Sequence, residues 1–277
     1  MKQRFVFSVG WAILASLLLG CQAPEASLSA PVPSGNYIAL LDNNSTATSI
    51  LTGQKLVPAT GDAGPVQGAL NRNENRLTID GNAGDISNNR TLTTLDAGGT
   101  ILLEVGNTSY VGRFAVQSLL SDPIFGVIGT ATLPQDMPQG GGAVFIGDSV
   151  MQIIDAGNVL DLFGSSRLSA DFNAGTIDLN ITNPNGTSSD GVSPPISVFN
   201  VVDINATGIS ILGNTFSGGT IQLSNSSLSR PLSGTEQTYL SGNFFGPSGL
   251  EAGGVLQILD SDAPNALTIQ GSFVGSQ

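Results

Sequence analysis

Leu168-Ser169-Ala170-Asp171-Phe172-Asn173-Ala174-Gly175-Thr176-Ile177-Asp178-Leu179-Asn180-Ile181 decides the fold class. Successive side chains of an extended chain point to opposite faces, so Leu168, Ala170 and Phe172 share one face while Ser169, Asp171 and Asn173 share the other. Asn173-Ala174-Gly175 suits a tight turn, after which Ile177, Leu179 and Ile181 resume the apolar face with Asp178 and Asn180 opposite. Two alternating runs joined by a short turn predict an antiparallel hairpin with one dry face.

Outward from this hairpin, short apolar runs recur between Asn, Gly, Asp and Pro clusters, and no window keeps a helical period over three turns. Segments 144–154, 196–204, 215–223, 238–245, 255–259 and 267–274 read as further strands, with 125–133 opening the set. The total is about eight, the number at which an antiparallel sheet closes around its own side chains. Segments 37–41, 66–70, 76–79, 100–105 and 110–116 are shorter and are separated by polar loops such as 71–75. The expectation is an all-β chain: a small β-rich domain over 36–120, then a C-terminal antiparallel eight-stranded β-barrel over 121–277, with the boundary near Leu119 to Pro123.

Composition narrows the chemistry. The 277 residues include 36 Gly, one Cys and no His, with 21 acidic against nine basic side chains and a net charge of −12. Without His a Ser nucleophile lacks its ordinary base, and Gly-x-Ser-x-Gly does not occur. Zinc sites need Cys or His, and nucleic acid needs clustered Lys and Arg, so neither is expected. Asp260, Asp262 and Asn265 have the oxygen spacing of half a calcium loop, but the central Gly and distal Glu are missing, which favours a solvated turn. Tyr37, Tyr110, Tyr239, Met137 and Met151 are the conceivable haem-iron ligands, with packing the expected role of each. These readings point to a non-enzyme with no cofactor and no metal.

The N-terminus has a separate meaning. Lys2 and Arg4 precede a mostly apolar run over 5–19, too short and wrongly flanked for a membrane span, and Leu18-Leu19-Gly20-Cys21 ends it. That ending resembles the bacterial lipoprotein lipobox. The resemblance implies that residues 1–20 are a signal peptide, that Cys21 is acylated (palmitate being one such group), and that Gln22 after it sends the protein to the outer membrane. Several acyl chains anchor stably where one holds only marginally. Losing Lys2 and Arg4 takes the net charge from −12 to −14. Residues 21–35, rich in Pro, Ala and Ser, read as a flexible tether.

Tyr239-Leu240-Ser241-Gly242-Asn243-Phe244-Phe245-Gly246-Pro247-Ser248-Gly249-Leu250-Glu251-Ala252-Gly253-Gly254 resembles the Gly-x-Phe-Tyr-Gly-Pro-x-Ala-x-Glu-x-Gly-Gly signature of barrel domains in the transferrin-binding protein B family. Gly242, Phe245, Gly246, Pro247, Glu251, Gly253 and Gly254 occupy its positions. Residues 169–177 resemble the family's acidic-aromatic hairpin, 137–147 its Pro-x-Gly-x-Ala-x-Tyr-x-Gly segment, and 267–275 its last strand. Phe245, Gly249 and Phe145 depart from the usual Tyr, Ala and Tyr. The resemblance covers 125–277 and, more loosely, 36–120 as a handle-like domain. It implies an outer-membrane, cell-surface lipoprotein that binds an iron- or haem-bearing ligand or another macromolecule through loops at one end of the barrel, in company with an outer-membrane receptor or translocator. A structural envelope lipoprotein with no nutrient ligand is the alternative. The residues themselves say that Gly246-Pro247 and Gly253-Gly254 make a corner that closes the barrel. Glu251, if turned inward, would need backbone donors or an Arg, and direct ligand contact is the other role open to it.

Overall fold

Leu168, Ile177, Leu179 and Ile181 are fully buried while Asp171, Asp178 and Asn180 are exposed, in a hairpin of two 14-residue strands. The computed structural model describes residues 33–277, apart from 41, 43–44, 59, 87–91, 97, 119–122, 192, 229–230 and 262–265. Cys21, the signal segment and most of the tether therefore lie outside the described residues.

The strands are β1 Thr48–Val57, β2 Asp62–Asn71, β3 Arg76–Ile79, β4 Asn82–Ile86, β5 Leu92–Leu95, β6 Gly99–Glu104, β7 Val111–Ser118, β8 Ile124–Gly129, β9 Gly142–Asp155, β10 Asn158–Asp171, β11 Thr176–Ser189, β12 Ile196–Val198, β13 Asp203–Leu212, β14 Thr215–Ser217, β15 Thr220–Ser224, β16 Gln237–Phe245, β17 Glu251–Asp260 and β18 Leu267–Ser276. Two single-turn 3-10 helices, Pro134–Asp136 and Pro247–Gly249, complete the described elements. No helix among the described residues is long and apolar enough to cross a membrane.

β1 to β8 follow one another around a closed antiparallel barrel, sealed where β8 pairs with β1 from Thr52↔Gly129 to Leu56↔Phe125. Leu51, Val66, Leu70, Leu77, Ile101, Phe114, Val116 and Ile128 fill it. Arg72 plugs one end, donating from Nη1 to Ser49 Oγ at 2.7 Å and from Nη2 to the Ala39 carbonyl at 2.7 Å.

The second sheet runs β12-β11-β10-β9-β18-β17-β16-β14-β13-β15, and the pairing of β11 with β13 closes eight of these strands into a barrel, with β12 and β15 appended. Its core centres on Phe244, whose ring lies 5.8 Å from Phe145, 5.7 Å from Phe172 and 5.4 Å from Phe216. β17, β18 and the part of β16 from Leu240 onward are buried on almost every residue, because one face meets this core and the other meets the first barrel.

Three expectations need correction. The boundary falls later than 119–123: the β-rich domain that precedes the C-terminal barrel is itself a closed barrel over 48–129, and β8 belongs to it and not to the C-terminal barrel. An apolar run satisfies either sheet, and only the partners β1 and β7 decide. Of the expected strand over 37–41, residues 37–40 are instead a strap in which Leu40 N donates to Ser109 O at 2.8 Å, and residue 41 lies outside the described residues. Segment 196–204 breaks into β12 and the start of β13, because Val201 and Val202 turn inward between them.

Candidate functional site: the barrel joint and the cleft beside it

The turn from β16 to β17 holds the signature. Gly246 has φ 73°, and a β-carbon there would lie 2.5 Å from the Tyr110 ring, so both conformation and space demand glycine. The preceding Phe245 is fully buried among Val111 and Val127 of the first barrel and Val274 of the second. Pro247 opens the 3-10 turn that brings the chain round to Glu251. The Glu251 carboxylate then crosses to the first barrel and accepts the Ser109 N–H at 2.5 Å, the Tyr110 N–H at 2.7 Å and the Val111 N–H at 3.0 Å. Burial pushes its pKa up, and the three N–H donors pull it down by less.

The rest of the joint is built the same way. A β-carbon on Gly253 would meet Val111 Cγ2 of the first barrel at 3.4 Å, whereas one on Gly254, on the opposite face, would meet the Phe273 ring of the second core at 2.7 Å. Gly242 lies directly under the Phe216 ring on the core side. Gln54 Nε2 donates to Asn243 Oδ1 at 3.0 Å, and Tyr239 OH donates to Gln54 Oε1 at 3.3 Å. Between the barrels, Thr132 N donates to the Phe244 carbonyl and Gly246 N to the Thr130 carbonyl, each at 2.9 Å.

Asp136 fixes the strap to this linker. Its carboxylate accepts Ser34 N and Gly35 N at 2.9 Å each and Ser34 Oγ and Tyr37 OH at 2.7 Å each. The Tyr37 hydroxyl and the Ser34 backbone N–H lead the donors that draw its pKa down to about 2. Tyr37 OH also accepts the Leu133 N–H at 2.8 Å.

Beside the joint lies a cleft of about 480 Å³, bounded on one side by Leu102, Phe114, Ala115 and Phe125 and on the other by Val150, Met151 and Phe163. Arg113 borders it and also borders a polar cavity of about 330 Å³ lined by Asp148, Ser149, Asn183 and Asn185.

The five conceivable haem ligands do not converge. Tyr37 serves Asp136, Tyr110 covers Gly246 and Tyr239 bonds Gln54. Met137 and Met151 are buried in the second core. Among the described residues no three His, Cys, Asp or Glu side chains gather as a metal site. Asp260 is buried and accepts Ser233 N at 2.8 Å and Ser233 Oγ at 2.9 Å, whereas Asp262 and Asn265 lie outside the described residues.

The family described as the C-lobe and N-lobe beta barrels of Tf-binding protein B matches residues 137–277, half of the chain. The chain belongs to that family. Two structures of transferrin-binding protein B mutants from Haemophilus parasuis superpose with TM-scores of 0.52 and 0.54 at 16% and 17% identity, each match covering 82% of this chain and 45% of the other. The isotype 1 protein from serogroup B Neisseria meningitidis superposes with a TM-score of 0.53 at 16% identity, over 82% of this chain and 44% of its own. At such identities the likeness is one of fold. The chain spans less than half the length of these transferrin-binding protein B structures. No curated protein sequence matches.

Sequence reasoning singled out the signature but not its target on the first barrel, nor Arg113, Asp136 and Gln54. A signal for Arg113 existed: Val111 and Ala115, which share its face of β7, are apolar and so mark an outer wall that something covers. Asp136 carried no such signal.

Proposed function

We propose that this protein is a non-catalytic surface lipoprotein, held in the outer membrane through acylated Cys21, that captures an iron- or haem-bearing ligand or another macromolecule with a rigid pair of barrels. The lipobox-like Leu18–Cys21 run supports the anchor, and membership of the transferrin-binding protein B barrel family supports the binding role.

The observation that carries the reading is the loop end of the second barrel. The turn at 246–250 locks one end to the first barrel, while the opposite end carries the 190–202 and 225–236 connections. There Ile196 is 64% and Phe199 71% exposed, apolar side chains of the kind that anchor protein interfaces. Without His, the ligand is recognised by surface and not through imidazole-bound metal.

Surface plasmon resonance of the full chain in lipid nanodiscs, against iron-loaded transferrin, iron-free transferrin and haemin, tests this reading. Saturable binding of one of these, weakened about tenfold or more by Phe199→Ala with Ile196→Asp, is expected. Binding of none of the three would sink the iron-capture reading and favour an envelope-interaction role. Unchanged outer-membrane fractionation of Cys21→Ser would remove the anchor.

A further inference from the structure

Arg113 stands on the outer face of β7 and is 9% exposed. Glu104 faces it in register on β6, and Nη2 donates to that carboxylate at 3.1 Å. Nε and Nη1 are buried and have no acceptor. A guanidinium can only donate, and buried donors without partners are costly, so two of them on one charged group mark a place where an acceptor belongs. Ser149 Oγ, bordering the polar cavity that Arg113 also borders, is buried and unpaired as well. It reaches the cavity beside Gly164, the residue that the β10–β11 register skips.

We propose that the cleft between the barrels binds an amphipathic monocarboxylate. Its carboxylate takes the free donors of Arg113, and its apolar body lies between Leu102, Ala115 and Phe125 on one wall and Val150 and Phe163 on the other. About 480 Å³ of mostly apolar space, with Arg113 and the carboxylates of Glu104 and Asp161 as its charged lining and Asp161 already accepting from the Gln152 amide at 3.0 Å, has the form of a small-molecule site. The acid is favoured over a neutral ligand because the guanidinium is always charged and its one protein partner, Glu104, has a side chain 53% exposed and screened by solvent. A carboxylate entering the cleft forms a charge-assisted bond that Glu104 leaves open. Asp148 borders the polar cavity and not the apolar cleft. None of these residues serves the protein-capture reading, and the two stand or fall separately.

The test is isothermal titration of the full chain in lipid nanodiscs with octanoate, octanol and octylammonium, after subtraction of empty nanodiscs. One saturable octanoate site is expected, with octanol weaker by about tenfold or more and octylammonium not bound, as loss or reversal of a charge-assisted pair requires. Arg113→Met should weaken octanoate by a similar factor, and Glu104→Gln should tighten it by removing the negative charge that competes with octanoate for the guanidinium. Ala115→Trp fills the cleft without touching the charge and should abolish binding, which keeps the test decisive if Arg113→Met fails to fold. Equal binding of octanoate and octanol, octanoate binding that survives Ala115→Trp, or no saturable octanoate binding would overturn the proposal and leave the donors to water.

Discussion

Replacing Glu251 by Ala should unlatch one barrel from the other. Its carboxylate accepts three backbone N–H groups of the first barrel at 2.5, 2.7 and 3.0 Å. A buried N–H without a partner costs about 1–3 kcal/mol, so the gross loss is about 3–9 kcal/mol. Removing a carboxylate whose charge burial disfavours returns part of that, leaving a net cost of about 3–5 kcal/mol. For a chain of this size each kcal/mol lowers the melting temperature by about 2–4 °C, so a drop of roughly 10 °C is expected. Differential scanning calorimetry of the full chain reads both the drop and its form: with the latch gone, the single transition should broaden or split. Glu251→Gln keeps one acceptor but turns an NH2 towards N–H donors, and should cost about 1–3 kcal/mol. The pH dependence also has a definite sign. The folded carboxyl lies above its unfolded value, so its protonation stabilises the fold; that contribution is complete below about pH 4.3 and is lost as pH rises through the folded pKa. The wild type's advantage over Glu251→Ala should therefore be larger at pH 4.5 than at pH 7. An alanine variant that melts in one transition within about 2 °C of wild type would refute the latch.

Gly246→Ala places a side chain at φ 73° against the Tyr110 ring and should cost about 2–3 kcal/mol or more, read as a lower urea midpoint with an unchanged slope. Asp136 has the opposite sign to Glu251: with its folded pKa drawn down to about 2, its contribution is complete above about pH 4 and is lost as pH falls towards 2. Pepsin cleavage near Tyr37 should therefore appear across that range, and Asp136→Asn should already be cleaved at pH 4. Residues 130–277 alone should keep a β-type circular dichroism spectrum but bind a hydrophobic dye and melt lower than the whole chain, because Phe245, Val255 and Val274 on β16–β18 lose their cover. A dye-silent fragment as stable as the full chain would show that the joint contributes nothing.

How much the sequence reveals depends on how many faces of a strand are covered. β10 and β11 have one dry and one wet face, so alternation exposes them at once. β17 is covered on both sides, and Glu251-Ala252-Gly253-Gly254-Val255-Leu256-Gln257-Ile258 reads as an apolar, glycine-rich run whose second partner is invisible. β1 escapes detection for the reverse reason. Ile50 is 69% exposed, while Ser49 turns inward to meet Arg72, so the pattern is inverted where a buried cation plugs the barrel. With β1, β4 and β5 hidden from the pattern, too few strands remain to close the first sheet, and β8 reads as part of the second. The need of Glu251 for backbone donors was legible from its charge, but that the donors lie about 140 residues earlier was not.

This placement of the signature separates what the family shares from what this protein recognises. Gly246, Phe245, Glu251 and Gly253 are all engaged in closing the joint, through a positive φ, an apolar plug, three hydrogen bonds and a close approach, while Gly254 makes room for the Phe273 ring in the second core. A residue committed to holding two barrels together is unavailable to a partner, and any change to it disturbs the scaffold before it touches recognition. On the proposed binding role, specificity is carried by surfaces that the joint does not use. The free-end connections at 190–202 and 225–236 meet that condition, as does the cleft beside Arg113. A shared fold fixes the scaffold and leaves the ligand to such grafted surfaces. Exchanging the 190–202 loop between members of the family should therefore move binding preference while leaving the melting temperature nearly unchanged, whereas exchanging 239–254 should do the reverse.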